Sequence, residues 1–339
     1  MPLFEIGLVA RAKALSRRLV PRDALERLAE AGDLAGFARG LVRLGATIDP
    51  LGESPDIFTI ERAVERTTSR YIQTLHRWQT RAPGVLDLFN ADRERRSLRT
   101  VLRGAVQGAP FEARVAGLLP TPSLPLPVLV ALARQASAAA VVRQLMFLRH
   151  PHAARLLAFA ESARPNLMAI EVALLEDYAD HATRAAARGD EILRQLVHDR
   201  IDVINAQNAL LMSGGPRELG PDDGFVGGGR WLTRRDFVSA SAAESQDAAR
   251  AHLRTALART PLAPLLGAAV SGVAQMERTF LAETLKQLTR ASRLAPLSSA
   301  PLLRVLIRIE AQSHDLRALA WAAFLDIPAP LRRQQLVTP

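Results

Sequence analysis

The chain has 339 residues, 48% of them hydrophobic, which is enough to bury a substantial core and argues against a disordered chain. Its formal net charge of +10 is nearly all arginine, since Lys13 and Lys286 are the only lysines, and it raises the prospect of an acidic partner: nucleic acid, anionic lipid or protein. The absence of cysteine excludes disulfides, thiolate metal sites and cysteine nucleophiles.

The opening Met1-Pro2-Leu3-Phe4-Glu5 places an acid where a secretion signal carries positive charge, so a cytoplasmic protein is expected. Asp33 to Gly45 predicts a short helix, with Asp33 accepting the first free N–H groups and Gly45 ending it. Ser54-Pro55-Asp56 supplies capping chemistry for a long helix whose apolar stripe is Ile60, Val64, Tyr71, Leu75 and Trp78. Arg95, Arg96, Arg99 and Arg103 then recur at helical spacing, as on a solvated helix face. The proline-dense Leu119 to Pro127 and the Gly/Pro/Asp-rich Ser213 to Gly229 read as surface linkers. Between them a second long helix is predicted from about Leu193, with Val197, Ile201, Ile204 and Leu211 on one stripe and an end at Gly214-Gly215. The two longest uncharged stretches, Val115 to Ala133 and Thr260 to Met276, are broken by prolines and glycines and do not read as membrane spans. No run of alternating strands occurs, so the fold class expected is all-α.

An internal period emerges from pairs of residues. An apolar residue followed by glutamate opens a long helix at Ile60-Glu61, Ile170-Glu171 and Met276-Glu277, at intervals of 110 and 106 residues. An acid followed three residues later by Ser or Asn occurs at Glu94/Ser97, Asp202/Asn205 and Glu310/Ser313, both intervals being 108 residues. Leu19-x-x-Arg22-Asp23 returns as Leu232-x-x-Arg235-Asp236, about two periods later. The shared register predicts three pseudo-equivalent helical repeats, residues 1–118, 119–228 and 229–339.

Catalytic constellations are weak by comparison. Gly227-Gly228-Gly229-Arg230 lacks the Lys-Ser/Thr ending of a phosphate-binding loop. His150-Pro151-His152 reads as a turn before a helix, no further metal ligand accompanying it. Asp177 and Asp180, with Glu176 beside them, and Asp199 with Asp202 have the spacing of helical magnesium sites, although acids at that spacing are ordinary on exposed faces. Ser313-His314 is adjacency without triad geometry. Tyr71, Trp78, Phe89, Tyr178, Trp231, Phe280, Trp321 and Phe324 fall mostly in apolar stripes and are expected in the core. No catalytic, cofactor-binding or metal residue is therefore assigned.

The segment Glu94 to Arg103 resembles the acid-x-x-Asn-Leu helix of the C-type (also called d-type) subunit of V-type and A-type ATPases, and Ile201 to Asn205 resembles its second copy. Ala10 to Gly45 is similar to the family's first repeat, and Ile309 to Trp321 with Ile327-Pro328 and Leu331 to its closing helix and tail. Ser97 and Ser313 stand where the family usually has asparagine. The resemblance covers roughly residues 3–336 and implies a funnel of three helical units seated on the proteolipid rotor ring with the central stalk inserted. The resemblance further implies a non-catalytic rotor subunit on the cytoplasmic face, attached to the membrane only through the ring. The proteolipid ring and central-stalk subunits are then its partners, no nucleic acid and no cofactor are expected, and no individual contact residue is assigned. The alternative from charge alone is a basic helical adaptor for nucleic acid or an anionic surface.

Overall fold

In the computed structural model, residues 6–48, 55–79, 85–162, 165–214, 220, 222–267, 270 and 272–338 are described. They form sixteen α-helices and one 3-10 turn, with no strand among the described residues, so the fold is all-α. Short helices α1 (Ile6–Ser16), α2 (Arg22–Ala29) and α3 (Leu34–Arg43) precede a long pair, α4 (Ile57–Arg77) and α5 (Val85–Gln107). Four more short helices follow: α6 (Phe111–Ala116), α7 (Leu126–Ala133), α8 (Ala138–Phe147) and α9 (Ala153–Ala160). These lead to a second long pair, α10 (Leu167–Ala187) and α11 (Glu191–Met212). Then α12 (Arg234–Ser241), α13 (Gln246–Leu257) and the 3-10 turn Ala263–Leu266 lead to α14 (Val273–Leu294) and α15 (Ala300–Phe324), and α16 (Ala329–Gln334) closes the chain. Short helices followed by a long pair therefore occur three times in chain order.

Short polar side chains set the helix starts by accepting N–H groups that have no partner within the helix. Asp33 accepts from Gly36 N at 2.6 Å to open α3. Asp56 accepts from Phe58 N and Thr59 N to open α4, a few residues before the predicted stripe begins. Asp190 accepts from Leu193 N at 3.0 Å to open α11. Gly45 and Gly214 follow the ends of α3 and α11 with φ of 90° and 70°, a left-handed backbone that glycine adopts without a Cβ penalty. Met1 to Glu5, Ser54, Gly215 and Pro221 lie outside the described residues.

The chain divides into two compact units, residues 1–135 with 285–339, and residues 136–284. In the first, α15 packs against α1, α2, α3 and α4, burying Leu25, Phe37, Ile60, Leu316 and Leu319 in one cluster. In the second, α11, α12 and α13 enclose a core of Val203, Leu210, Phe237, Leu253 and Leu266. Full burial of a side chain such as Phe37 or Phe237 contributes about 1.5–3 kcal/mol, so these clusters are the main source of stability in each unit. These spatial cuts follow packing, whereas the sequence blocks 1–118, 119–228 and 229–339 follow period. Among the described residues no helix is long and apolar enough to cross a membrane.

Two expectations change with burial. The α5 arginines are not a uniform solvated face: Arg103 is exposed, but Arg95 is buried and bonds to Asp92 at 2.7 and 2.9 Å. Its neighbour Arg93, also buried, is paired with Glu65 of α4 and donates to Ser69 Oγ at 2.7 Å, while Ser69 donates to Glu65 at 2.7 Å. A buried charge needs a partner, and Glu65 supplies it, with Ser69 bridging the two, while the Arg93 Nε stays buried without a hydrogen bond among the described residues. Of the predicted core aromatics, Tyr178 and Phe280 are buried, Tyr71, Trp78, Phe89, Trp231 and Trp321 are half-buried, and Phe324 is exposed. Several half-buried ones bring a polar edge to the surface, as when Tyr71 donates to Arg18 O at 3.1 Å.

Candidate functional site

The most developed polar construction in the second unit lies along α11. Asp199, Asp202, Asn205 and Asn208 succeed one another three residues apart, and the chain between Gly224 and Leu232 returns along them. The Asp202 carboxylate, fully buried, accepts from Arg230 N and Trp231 N at 2.8 Å each and from Leu232 N at 3.1 Å. Asn205, also fully buried, donates to Val226 O and accepts from Val226 N, both at 2.8 Å. Asn208 donates to Gly224 O at 2.9 Å, and Trp231 Nε1 donates to Asp199 at 2.8 Å. His198 Nδ1 is hydrogen-bonded to Gly228 O. From Gly224 onward the predicted surface linker is thus pinned to the helix, with Gly224 and Val226 buried.

This geometry accounts for the glycines. A Cβ on Gly229 would stand 2.1 Å from Asp202 Oδ1, one on Gly224 2.5 Å from Met212 Sδ, and Gly228 has φ of 103°. The run serves the close approach of main chain to α11, a use its sequence shares with phosphate-binding loops. Burial pushes the carboxyl of Asp202 above the ordinary aspartate value, opposed by its three backbone N–H bonds. Asp199 is also raised, first by burial and further by the charge of Asp202, against the Trp231 bond. These two acids are therefore neither an exposed pair nor open ligands, because their oxygens hold the loop.

The corresponding mark on α5 acts alike. Ser97, fully buried, accepts from Leu119 N at 2.8 Å and donates to Leu119 O at 3.3 Å, the same two-way grip as Asn205 on Val226. Glu94 accepts from Thr121 at 2.8 Å and from Ser123, and Thr121 is buried, so the proline-rich segment is also held rather than loose. A hydroxyl can both donate and accept, so serine replaces the asparagine amide here without loss of either bond. The third mark departs from this. Glu310 lies 3.8 Å from Arg96, and the Ser313 hydroxyl has no hydrogen-bond partner among the described residues. On α15 the grip passes to Gln312, which accepts from Val20 N at 2.7 Å, and to Asp315, which accepts from Val337 N at 2.7 Å and Thr338 N at 2.9 Å. Neither was marked by the period. For Asp315 the available signal was an acid among Ala311, Leu316, Leu319 and Ala320, small and apolar residues that helical spacing sends into the core.

Glu61 and Glu277, two of the glutamate marks, each join a pair of long helices. Glu61 on α4 accepts from Trp321 Nε1 on α15 at 2.8 Å. Glu277 on α14 accepts both contacts of Arg200 Nη1 from α11, at 2.7 and 2.8 Å, and a third from Gln207 at 3.2 Å. Arg200 also lies 5.5 Å from the Phe280 ring centre. Glu171 is half-buried on α10.

The remaining candidates are placed as follows. His150 and His152 form a buried turn leading into α9, their rings 5.0 Å apart, and His152 Nδ1 contacts Asp177. Arg155 reaches Asp177 at 3.7 Å and Asp180 at 3.5 Å. Among the described residues no cluster of three or more His, Asp or Glu side chains is arranged to hold a metal. His314 lies 3.8 Å from Asp315, and the adjacent Ser313 hydroxyl is buried, so the two side chains do not form a nucleophile and its base.

No curated protein matches the chain. Residues 8–333 match the family described as the ATP synthase (C/AC39) subunit, which is nearly the whole length and agrees with the resemblance carried by the helix marks. The chain belongs to the ATP synthase (C/AC39) subunit family, the C- or d-type component of V-type and A-type rotary ATPases.

Proposed function

We propose that this chain is the non-catalytic rotor subunit that joins the central stalk to the proteolipid ring on the cytoplasmic face of the membrane. The observation that carries the reading is family membership over residues 8–333. Three successions of short helices and a long pair, with polar grips on α5 and α11 at equivalent positions, support a body built of three related copies. In this role the protein passes torque from stalk to ring, and ATP turnover resides in other subunits. Stiffness is the property the task requires: close-packed interiors have low compressibility, and linkers held to long helices by buried hydrogen bonds add few soft joints.

The test is a pull-down with detergent-solubilised proteolipid ring and with stalk subunits from the same organism, at low and at high salt. Retention of both at high salt is expected. Binding that disappears with salt and is reproduced by heparin would instead favour a basic adaptor for anionic surfaces or nucleic acid, because counterion-driven binding falls steeply with salt.

A further inference from the structure

From Lys286 to Ile309 the chain carries five cations, Lys286, Arg290, Arg293, Arg304 and Arg308, and no carboxylate. This stretch comprises the end of α14, the turn 295–299 and the start of α15, all within the first compact unit. Arg304 and Arg308 stand four residues apart, hence on one face of α15. Both are half-buried, neither has an ion-pair partner among the described residues, and the Nε atom of each is buried without a hydrogen bond. The Arg93 Nε is likewise buried and unbonded, so the difference lies in charge pairing: Arg93, Arg95 and Arg200 are each matched to a carboxylate. Burial and the neighbouring Arg304 charge both lower the Arg308 pKa.

Their place on the helix sharpens the imbalance. The N-terminal end of a helix is positive, and α15 has no acid in its first turn to offset it. A rise of about 1.5 Å per residue puts Arg304 about 6 Å and Arg308 about 12 Å from Ala300, and helical side chains lean toward the N-terminus, here toward the turn. At that turn Leu294 is 75% and Leu297 64% exposed, while Arg290 and Arg293 flank them on the surface. Unpaired guanidiniums behind protruding leucines match the layering of a bilayer surface, phosphate outside and hydrocarbon within.

We propose that the α14–α15 turn binds the phosphate of an anionic lipid headgroup, Arg304 and Arg308 holding the phosphate oxygens while Leu294 and Leu297 enter the acyl boundary. Two planar guanidiniums offer paired N–H donors to phosphate, which a carbonyl or neutral headgroup cannot match in charge. The contact is direct, so it goes beyond attachment through the ring and does not rest on the rotor reading.

The test uses the full chain, with no ring present, in co-sedimentation with phosphatidylcholine vesicles and with vesicles about one third phosphatidic acid, near physiological salt. Binding to the acidic vesicles alone is expected. Arg304→Gln with Arg308→Gln should weaken it about 30-fold, the loss expected for two arginines near an anionic surface at about 1 kcal/mol each. Leu294→Ser with Leu297→Ser should weaken it as well, and both double variants should melt like the parent because they remove no internal partner. Binding that survives the arginine change, or is lost equally on changing two exposed arginines elsewhere such as Arg39 and Arg43, would overturn the proposal. So would stabilisation by inorganic phosphate in a melting assay without any vesicle binding, which would mark a free-phosphate site.

Discussion

Replacing Asp202 with alanine tests whether the 224–232 segment is held by one carboxylate. The change strips the acceptor from three backbone N–H groups, those of Arg230, Trp231 and Leu232. An orphaned buried donor costs about 1–3 kcal/mol, so the enclosed Leu232 N–H accounts for about 2 kcal/mol and the two partly enclosed ones for about 1 kcal/mol each. Removing a carboxylate whose charged form is disfavoured by burial returns about 1 kcal/mol, leaving a net loss of about 3 kcal/mol. Urea denaturation measures the total, and hydrogen exchange locates it: amides of Val226 to Leu232 should exchange about a hundredfold faster, while α13 is little changed. A loss below about 0.5 kcal/mol with unchanged exchange in that segment would refute the claim that Asp202 anchors it.

Other consequences are equally direct. Gly229→Ala brings a Cβ to 2.1 Å from Asp202 Oδ1 and should destabilise by about 2 kcal/mol or more, read by urea denaturation, with the loss largely relieved in the Asp202→Ala background. Glu65→Ala leaves the buried Arg93 cation unpaired and should cost about 3–5 kcal/mol in the same assay, whereas Asp23→Ala removes only a solvent-exposed pair with Arg27 and should leave the unfolding midpoint nearly unchanged. Because the folded-state pKa of Asp199 is raised, the folded chain holds its proton more tightly than the unfolded one, so this group's contribution is present in acid and lost as pH rises from the unfolded aspartate value through the folded one. Asp199→Asn should therefore flatten the decline of stability with rising pH in that window, and an unchanged slope would contradict it. Ser97→Asn should retain the Leu119 grip, whereas Ser97→Ala should cost about 1–2 kcal/mol in thermal or urea unfolding.

What the sequence made legible was local. The cap at Asp33, the glycine after α3 and the apolar stripe of Ile60, Val64 and Leu75 each depend on residues within a turn or two, so α3 and α4 could be placed before any packing was known. The period at 108 residues likewise marked Ser97, Asp202 and Asn205, although as positions rather than as chemistry. The rest depended on distant partners. Asp202 on a helix is indistinguishable from a surface acid until residues 230–232, nearly thirty positions away, fold back on it. Arg95 resembled its solvated neighbours because the helix phase that buries it against Asp92 is set by the packing of α5. Gln312 and Asp315 escaped the period because α15 grips Val20 and the closing tail, segments to which a sequence interval of 108 residues does not point.

The grips of Ser97, Asn205 and Asp202 fall on main-chain atoms, and a peptide group is the same whichever side chain it carries. Such a fastening is indifferent to the identity of what it fastens. Away from Gly224, Gly228 and Gly229, from the buried Leu119, Thr121, Val226 and Leu232, and from Trp231 with its bond to Asp199, the gripped segments can change their exposed side chains while keeping their course, so the outward face of a linker can be rewritten without rebuilding the helix beneath it.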